Sequence, residues 1–283
     1  MAEPILYVVA TPIGNLQDIT LRALETLKAV NVIAAEDTRV SRKLLSHFGI
    51  QTELISSHQH NEQRAALRLI KLLSEGKSVA LIADAGTPAI SDPGAVVVGQ
   101  ARAAGFRVVT IPGPSALTAA IAASGLQSSS FCFHGFLPAR KAEREAALAS
   151  LKMQRGLQVF YEAPHRIIEC LSSMVAVMGA DRRICIAREL TKLFEQFHVC
   201  RLDEAVLWLR DSENHRRGEF VLIVEGCLAE TTAERSSTVH ALEILLRELP
   251  LKQAVGLAAE ITGGKKNALY KQALELKIGN HGN

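Results

Sequence analysis

Three stretches in the first half of this 283-residue chain combine glycine, proline and small polar residues in a way that offers backbone to a ligand: TPIGNL from Thr11, DAGTPAISDPG from Asp84 and PGPSALTA from Pro112. In the longest, Gly86 and Gly94 remove side chains that would obstruct close approach, while Pro88 and Pro93 fix φ and hold the loop to one shape. None of the three contains Lys or Arg, so a cationic or neutral ligand suits them better than a phosphate. The dinucleotide fingerprint GxGxxG and the phosphate loop GxxxxGK[ST] are both absent, and TGGKK (262–266) lacks the earlier glycine and the closing Ser or Thr. Ordinary turn chemistry is the competing reading of these loops.

The elements that must carry them alternate. ILYVVA (5–10), VIAA (32–35), ELISS (53–57), VALIA (79–83) and RVVTI (107–111) read as strands, and the segments between them carry apolar residues at helical spacing. Such alternation predicts an α/β domain over 1–125, with a parallel sheet and helices on both faces. The three loops then open on one edge of that sheet, where ligands bind in this architecture. Glu36 and Asp37, ending the second strand with Arg39 behind them, reach the same rim.

After the polar break LQSSS (126–130), strands are predicted at SFCFHGF (130–136), LQVFYE (157–162), RICIARE (183–189), KLFEQFHVC (192–200) and GEFVLIVEG (218–226). Two of them follow in succession, so a second α/β domain over 126–227 carries a mixed sheet. Residues 228–238, LAETTAERSST, read as a linker, and 239–283 as a helical tail. Ala259, Gly263 and Leu269 fall where a helix-turn-helix wants a small residue, a turn and a core residue; a plain helical hairpin is the alternative.

The composition, 48% hydrophobic and 22% charged with a formal net charge of +3, is globular and permits an anionic partner without demanding one. Five scattered cysteines with no CxxC pair suggest neither a disulfide framework nor a metal site, and a reducing cytoplasm is expected. No apolar run approaches the length of about 18 residues that would suggest a membrane span.

TPIGNLQDITLRALETL, AEDTR, DAGTPAISDPG and IPGPSALTAA together resemble the RsmI family of tetrapyrrole-methylase-like class III methyltransferases, and KQAVGLAAEITGGKKNALY is similar to that family's C-terminal extension. The resemblance implies two α/β domains with S-adenosyl-L-methionine in the cleft between them. It further implies 2′-O-methylation of a cytidine ribose in 16S small-subunit ribosomal RNA, free or in the 30S subunit, by a homodimer. On the matching motifs it assigns the cofactor to Pro12, Gly14, Asp84, Ala85, Gly86, Ser91, Asp92, Pro93, Gly94, Pro114 and Ser115, with Phe136, Leu137 and Pro164 from the second half. Glu36 or Asp37 would orient or deprotonate the hydroxyl, with Arg39 beside them, although acidic residues also favour a helix start for its dipole alone. Glu189 and Lys192 would shape the acceptor side, or pair on a hairpin. Arg140, Lys141 and Arg144, with Lys265 and Lys266 in the tail, would face RNA phosphates, or simply be solvated. Two other functions stay open: C-methylation of a tetrapyrrole, and a non-catalytic RNA-binding module.

Overall fold

The computed structural model describes residues 3–58, 62–227 and 232–279. Its first sheet contains β1 (Ile5–Val9), β2 (Val32–Ala35), β3 (Glu53–Ser56), β4 (Val79–Ile82) and β5 (Arg107–Ile111), all parallel in the order β3-β2-β4-β1-β5. Helices α1 (Leu21–Ala29), α2 (Thr38–His47), α3 (Glu62–Ser74), α4 (Ala95–Ala103) and α5 (Ala116–Ala123) complete this half. Every residue of β2 and β4 is buried, as central parallel strands covered on both faces require. Their alternate side chains divide between two cores. Ile33, Ala35, Ala80 and Ile82 pack with Leu27 and Leu45, whereas Val32, Ala34, Val79 and Leu81 meet Leu69, Leu73 and Val97.

The second sheet contains β6 (Phe131–Phe136), β7 (Leu157–Glu162), β8 (Arg183–Arg188), β9 (Gln196–Arg201) and β10 (Phe220–Val224), ordered β6-β7-β10-β8-β9. Only β6 and β7 pair in parallel, so the sheet is mixed. Helices α6 (Lys141–Leu151), α7 (Ile167–Met178) and α8 (Leu202–Asp211) cover one face. On β10, Phe220, Leu222 and Val224 point into that covered core, while Val221 and Ile223 join Ala120 of α5 and Leu126 on the opposite face. Through this contact the first half packs on the second sheet, and Met1–Gly226 forms one compact unit.

The strand expected over 192–200 starts only at Gln196. Residues before it form a turn in which Glu189 and Thr191 take φ of +50° and +63° and Lys192 N donates to Glu189 O at 3.0 Å. Backbone in that left-handed region cannot continue a strand.

Cys227–Asn283 is a second unit, with α9 (Thr232–Glu248), α10 (Leu251–Thr262) and α11 (Lys266–Gly279). Of the expected linker, 228–231 lie outside the described residues, and the remainder is the opening of α9, so a polar sequence there did not preclude a helix. Gly263, at φ +71°, closes α10 in the left-handed conformation typical of helix ends. Leu242, Val255, Ala258, Ala259, Leu269 and Ala273 form the unit's small core. No described helix is long and apolar enough to cross a membrane.

Phe160 on β7 is fully buried among Leu148, Leu171 and Leu222. Phe160→Ala is expected to cost about 3–5 kcal/mol, measured as a fall in the urea midpoint; an unchanged midpoint would contradict this packing.

Candidate functional site

Four loops meet at the carboxyl ends of β2, β4, β1 and β5, which are consecutive in the sheet. Thr11 N donates to Gly86 O at 2.9 Å and Gly86 N returns a bond to Thr11 O at 3.0 Å, joining the loops after β1 and β4. The fully buried Thr11 hydroxyl donates to Ala83 O at 3.1 Å. Thr87 Oγ1 donates to Pro114 O at 3.3 Å, which ties in the loop after β5, and Asp37 N donates to Asp84 Oδ1 at 2.9 Å, which ties in the loop after β2. Within the longest loop Ala89 and Ser91 hold φ of +66° and +64°, conformations that cost energy outside glycine and persist only where surroundings enforce them. One enforcing contact is Glu62, whose Oε1 accepts from Gly94 N at 2.7 Å, where the loop enters α4.

Between these loops and the second sheet lies a cavity of about 420 Å³, a size suited to a nucleoside-scale ligand. The first half contributes Ile13, Ala85, Gly86, Thr87, Ile90, Ser91, Asp92, Ser115 and Ala116. The second contributes Phe136, Tyr161, Glu162, Ala163, Pro164, Leu190, Glu219, Phe220 and Val221. The wall contains carboxylates but no lysine or arginine.

On the loop side, the lining residue Asp92 lies close enough to feel Glu36 and Asp84, which are not themselves among the lining residues. Burial, then Glu36 and Asp84, push the Asp92 carboxyl up to about 6. Burial and Asp84 likewise raise Glu36, against a stabilising hydrogen bond from the Asp84 backbone. Like charges gathered in a half-buried space favour either protonation or a bound cation. Asp37 behaves oppositely. Its carboxylate caps α2 by accepting from Arg39 N at 2.8 Å and clasps the Arg39 guanidinium at 2.7 Å, which holds it down at about 2.

The residues singled out in the sequence therefore separate. Ala85, Gly86, Ser91, Asp92, Ser115, Phe136 and Pro164 line the cavity. Asp84 braces the neighbouring loop, Pro114 lends its carbonyl to Thr87, and Gly94 begins α4 after the half-buried Pro93. Pro12 lies half-buried between Thr11 and the wall residue Ile13. Gly14 admits the close approach of Lys192, since a Cβ there would lie 2.5 Å from Lys192 Cγ. Leu137 turns into the core of the second sheet instead of the cavity, and its carbonyl accepts from Arg166. Arg39 is 88% exposed and occupied by Asp37.

On the opposite side, Lys192 Nζ bridges Glu189 at 2.9 Å and Glu219 at 3.0 Å. Burial alone would raise Glu189 and lower Lys192, but this pairing outweighs it in both and keeps them charged. Arg140 and Lys141 are exposed at the start of α6, each beside a glutamate. Arg144 corrects the expectation of a phosphate contact. It is 2% exposed, shares the inner face of α6 with Leu148 and Leu151, and donates to Ser173 Oγ at 3.1 Å and Ala139 O at 2.9 Å. Lys265 and Lys266 are exposed at the entry to α11 in the C-terminal unit. Among the described residues no cluster of side chains could hold a metal ion.

Sequence reasoning missed Tyr161, Leu190 and Glu219–Val221, whereas Glu162 is legible as a strand-end charge without an assigned role. The one available signal was Tyr161-Glu162 ending an apolar strand before a proline turn.

Comparison with known proteins accords with this geometry. Residues 5–206 match the family model of the tetrapyrrole (corrin/porphyrin) methylases, and residues 232–277 match that of the RsmI C-terminal HTH domain. Proteins named ribosomal RNA small subunit methyltransferase I are similar along the whole chain. The one from Escherichia coli O157:H7 is 51% identical over 95% of this chain and 94% of its own length. Its Pseudomonas aeruginosa counterpart is 50% identical over 97% and 98%. Among solved structures, a uroporphyrin-III-C-methyltransferase from Thermus thermophilus superposes with TM-score 0.57 at 19% identity, covering 78% of this chain and 94% of that one. A diphthine synthase does so with TM-score 0.60 at 16% identity, covering 78% and 90%. At such identities these two structures show the shared fold.

Asp92 carries a stability consequence. Its carboxyl, at about 6, lies above the ordinary value of 3.8, so ionised Asp92 destabilises the uncomplexed protein. That cost is absent below about pH 4 and complete above about pH 6. After solvent screening it amounts to about 1 kcal/mol. Asp92→Asn is therefore expected to raise the melting temperature at pH 7.5 by about 2–4 °C and to leave it unchanged at pH 4. A lower melting temperature at pH 7.5 would mean that the carboxylates do not oppose one another.

Proposed function

The chain belongs to the RsmI family of the tetrapyrrole methylases, and from that premise we propose that it transfers a methyl group from S-adenosyl-L-methionine to the 2′-hydroxyl of a cytidine in 16S small-subunit ribosomal RNA. The observation that carries this reading is the wall where the loops after β1, β4 and β5 converge, with Asp92 in it and no lysine or arginine among the lining residues. Asp92 faces the cavity, with Glu36 and Asp84 beside it. A sulfonium bears a fixed positive charge, and carboxylates that repel one another when alone are relieved by it. The wall also supplies apolar surface from Ile13, Ile90, Phe136 and Leu190 for an adenosyl group. The residues present therefore fit the donor, which supplies an electrophilic methyl group when bound.

The rest of the reaction falls to the chain. A ribose hydroxyl is a weak nucleophile at neutral pH, and holding it in line with the methyl group removes much of the barrier. A proton acceptor adds to this when its pKa lies near the working pH. Asp37, held at about 2 by Arg39, is a weak base, whereas Glu36 is raised by burial and by Asp84. Glu36 is accordingly the proton acceptor of this reading, and Asp37 and Arg39 hold the start of α2. Support for ribosomal RNA as acceptor comes from the names of the relatives, each matched over nearly its full length. The same reading takes the enzyme as a cytoplasmic homodimer that engages free RNA or the 30S subunit.

Incubation with labelled S-adenosyl-L-methionine and undermethylated 30S subunits or 16S RNA is expected to label one cytidine ribose, located by mass mapping. Labelling of a tetrapyrrole precursor instead, or of a base, would overturn the acceptor. With the same substrates Glu36→Gln is expected to slow single-turnover transfer about 100-fold or more. Donor affinity, measured by calorimetry, should fall less than tenfold. A transfer rate within threefold of the parent would remove Glu36 from proton transfer.

A further inference from the structure

A second groove, of about 490 Å³, lies on the second α/β half, lined by Pro164, His165, Ile168, Glu169, Glu213, Arg216 and Arg217. It adjoins the first cavity, and two pieces of chain link their walls. Pro164 belongs to both walls. From the other side, Arg217 is followed after one residue by Glu219, which lines the donor cavity. Two residues of extended chain span about 7 Å, so the groove begins within a nucleotide's length of the cavity.

The two arginines are set up to receive an anion. Each forms a long ion pair with Glu213 at 3.8 Å, and neither makes a side-chain hydrogen bond among the described residues. These long pairs leave the guanidinium forks without a close hydrogen bond, and such a planar fork of donors matches the oxygens of a phosphate bidentately. Of the two carboxylates in the groove, Glu169 is partly offset by the buried Arg144 at 3.8 Å. The turn that presents the arginines is also held firmly. Arg188 donates to the Asn214 carbonyl, and His215 stacks on Trp208 at 4.1 Å with Nδ1 placed 2.8 Å from the Trp208 carbonyl. Gly218 follows at φ +95°, and a Cβ there would lie 2.4 Å from Glu189 Cγ, so the path from Arg217 to Glu219 is fixed as well. Two guanidiniums presented by a braced turn beside a methyl-transfer cavity, each held by no more than a long ion pair, make a place for backbone, since phosphate contacts set register while other contacts select sequence.

We propose that this groove holds the phosphodiester flanking the acceptor ribose, with Arg216 and Arg217 as its ligands and His165 alongside. The proposal rests on the RNA acceptor put forward above and extends it to residues that no motif singled out. The test uses the full-length protein with 30S subunits or 16S RNA and S-adenosyl-L-methionine over a series of KCl concentrations. Replacement of both residues, Arg216→Gln with Arg217→Gln, is expected to raise KM for RNA at least tenfold and to lower the slope of log KM against log salt by about 1. Donor affinity should change less than twofold, which also reports that the variant is folded. The double Arg→Lys variant should recover part of the loss, because lysine keeps the charge without the fork. An unchanged KM and salt slope in the glutamine variant, with methylation intact, would overturn the groove assignment and leave the acceptor standing. Absence of RNA methylation by the unaltered protein would overturn the acceptor, and the groove assignment with it.

Discussion

Two backbone hydrogen bonds between Thr11 and Gly86 decide how the first half of the molecule can function. Parallel strands end on a common edge, but the loops that follow them are free to splay. Pairing the loop after β1 with the loop after β4 prevents this, and the buried Thr11 hydroxyl locks the junction onto Ala83. The contacts Thr87 to Pro114 and Asp37 to Asp84 then draw in the two remaining loops. A wall held from several directions can keep Ala89 and Ser91 in left-handed conformations, and that strained segment leads directly to Asp92 at the cavity.

The same convergence forces acidic groups together. Glu36, Asp84 and Asp92 come from three separate positions in the chain, and their mutual repulsion is stored in the folded protein until a proton or a cation relieves it. Such a site trades stability for affinity, a common pattern where charged groups are organised for function. Across the cavity the logic reverses. Lys192 neutralises Glu189 and Glu219 and presses on Gly14, so the β8–β9 turn reaches the first loop with its charges already satisfied.

Most of the fold is readable in the residues. Uncharged runs such as Val79–Ala83, separated by helical periodicity, specify a parallel sheet, and the order of its loops on one rim follows from that. The mixed character of the second sheet is also visible, in the two successive strands flanking 189–195. Its strand order is not, because β10 inserts between β7 and β8 through pairings remote in sequence. This is why Tyr161 and Glu219–Val221 are not legible in the sequence, since a strand in a mixed sheet can end at either edge. Arg144 was misjudged for a different reason. Its spacing from Leu148 and Leu151 already places it on the inner face of α6, yet an arginine near a helix start reads first as solvated. Asp37 caps α2, and Arg39, two residues on, holds its carboxylate there.

The whole account depends on the acidic cavity being the place where the methyl donor binds. A crystal structure of the protein grown with S-adenosylhomocysteine tests this directly. The account predicts density between the loop 85–92 and the strand ends at 161–164 and 219–221, with the sulfur facing Asp92. Density for the ligand elsewhere on the chain, with this cavity closed by its own side chains, would contradict it.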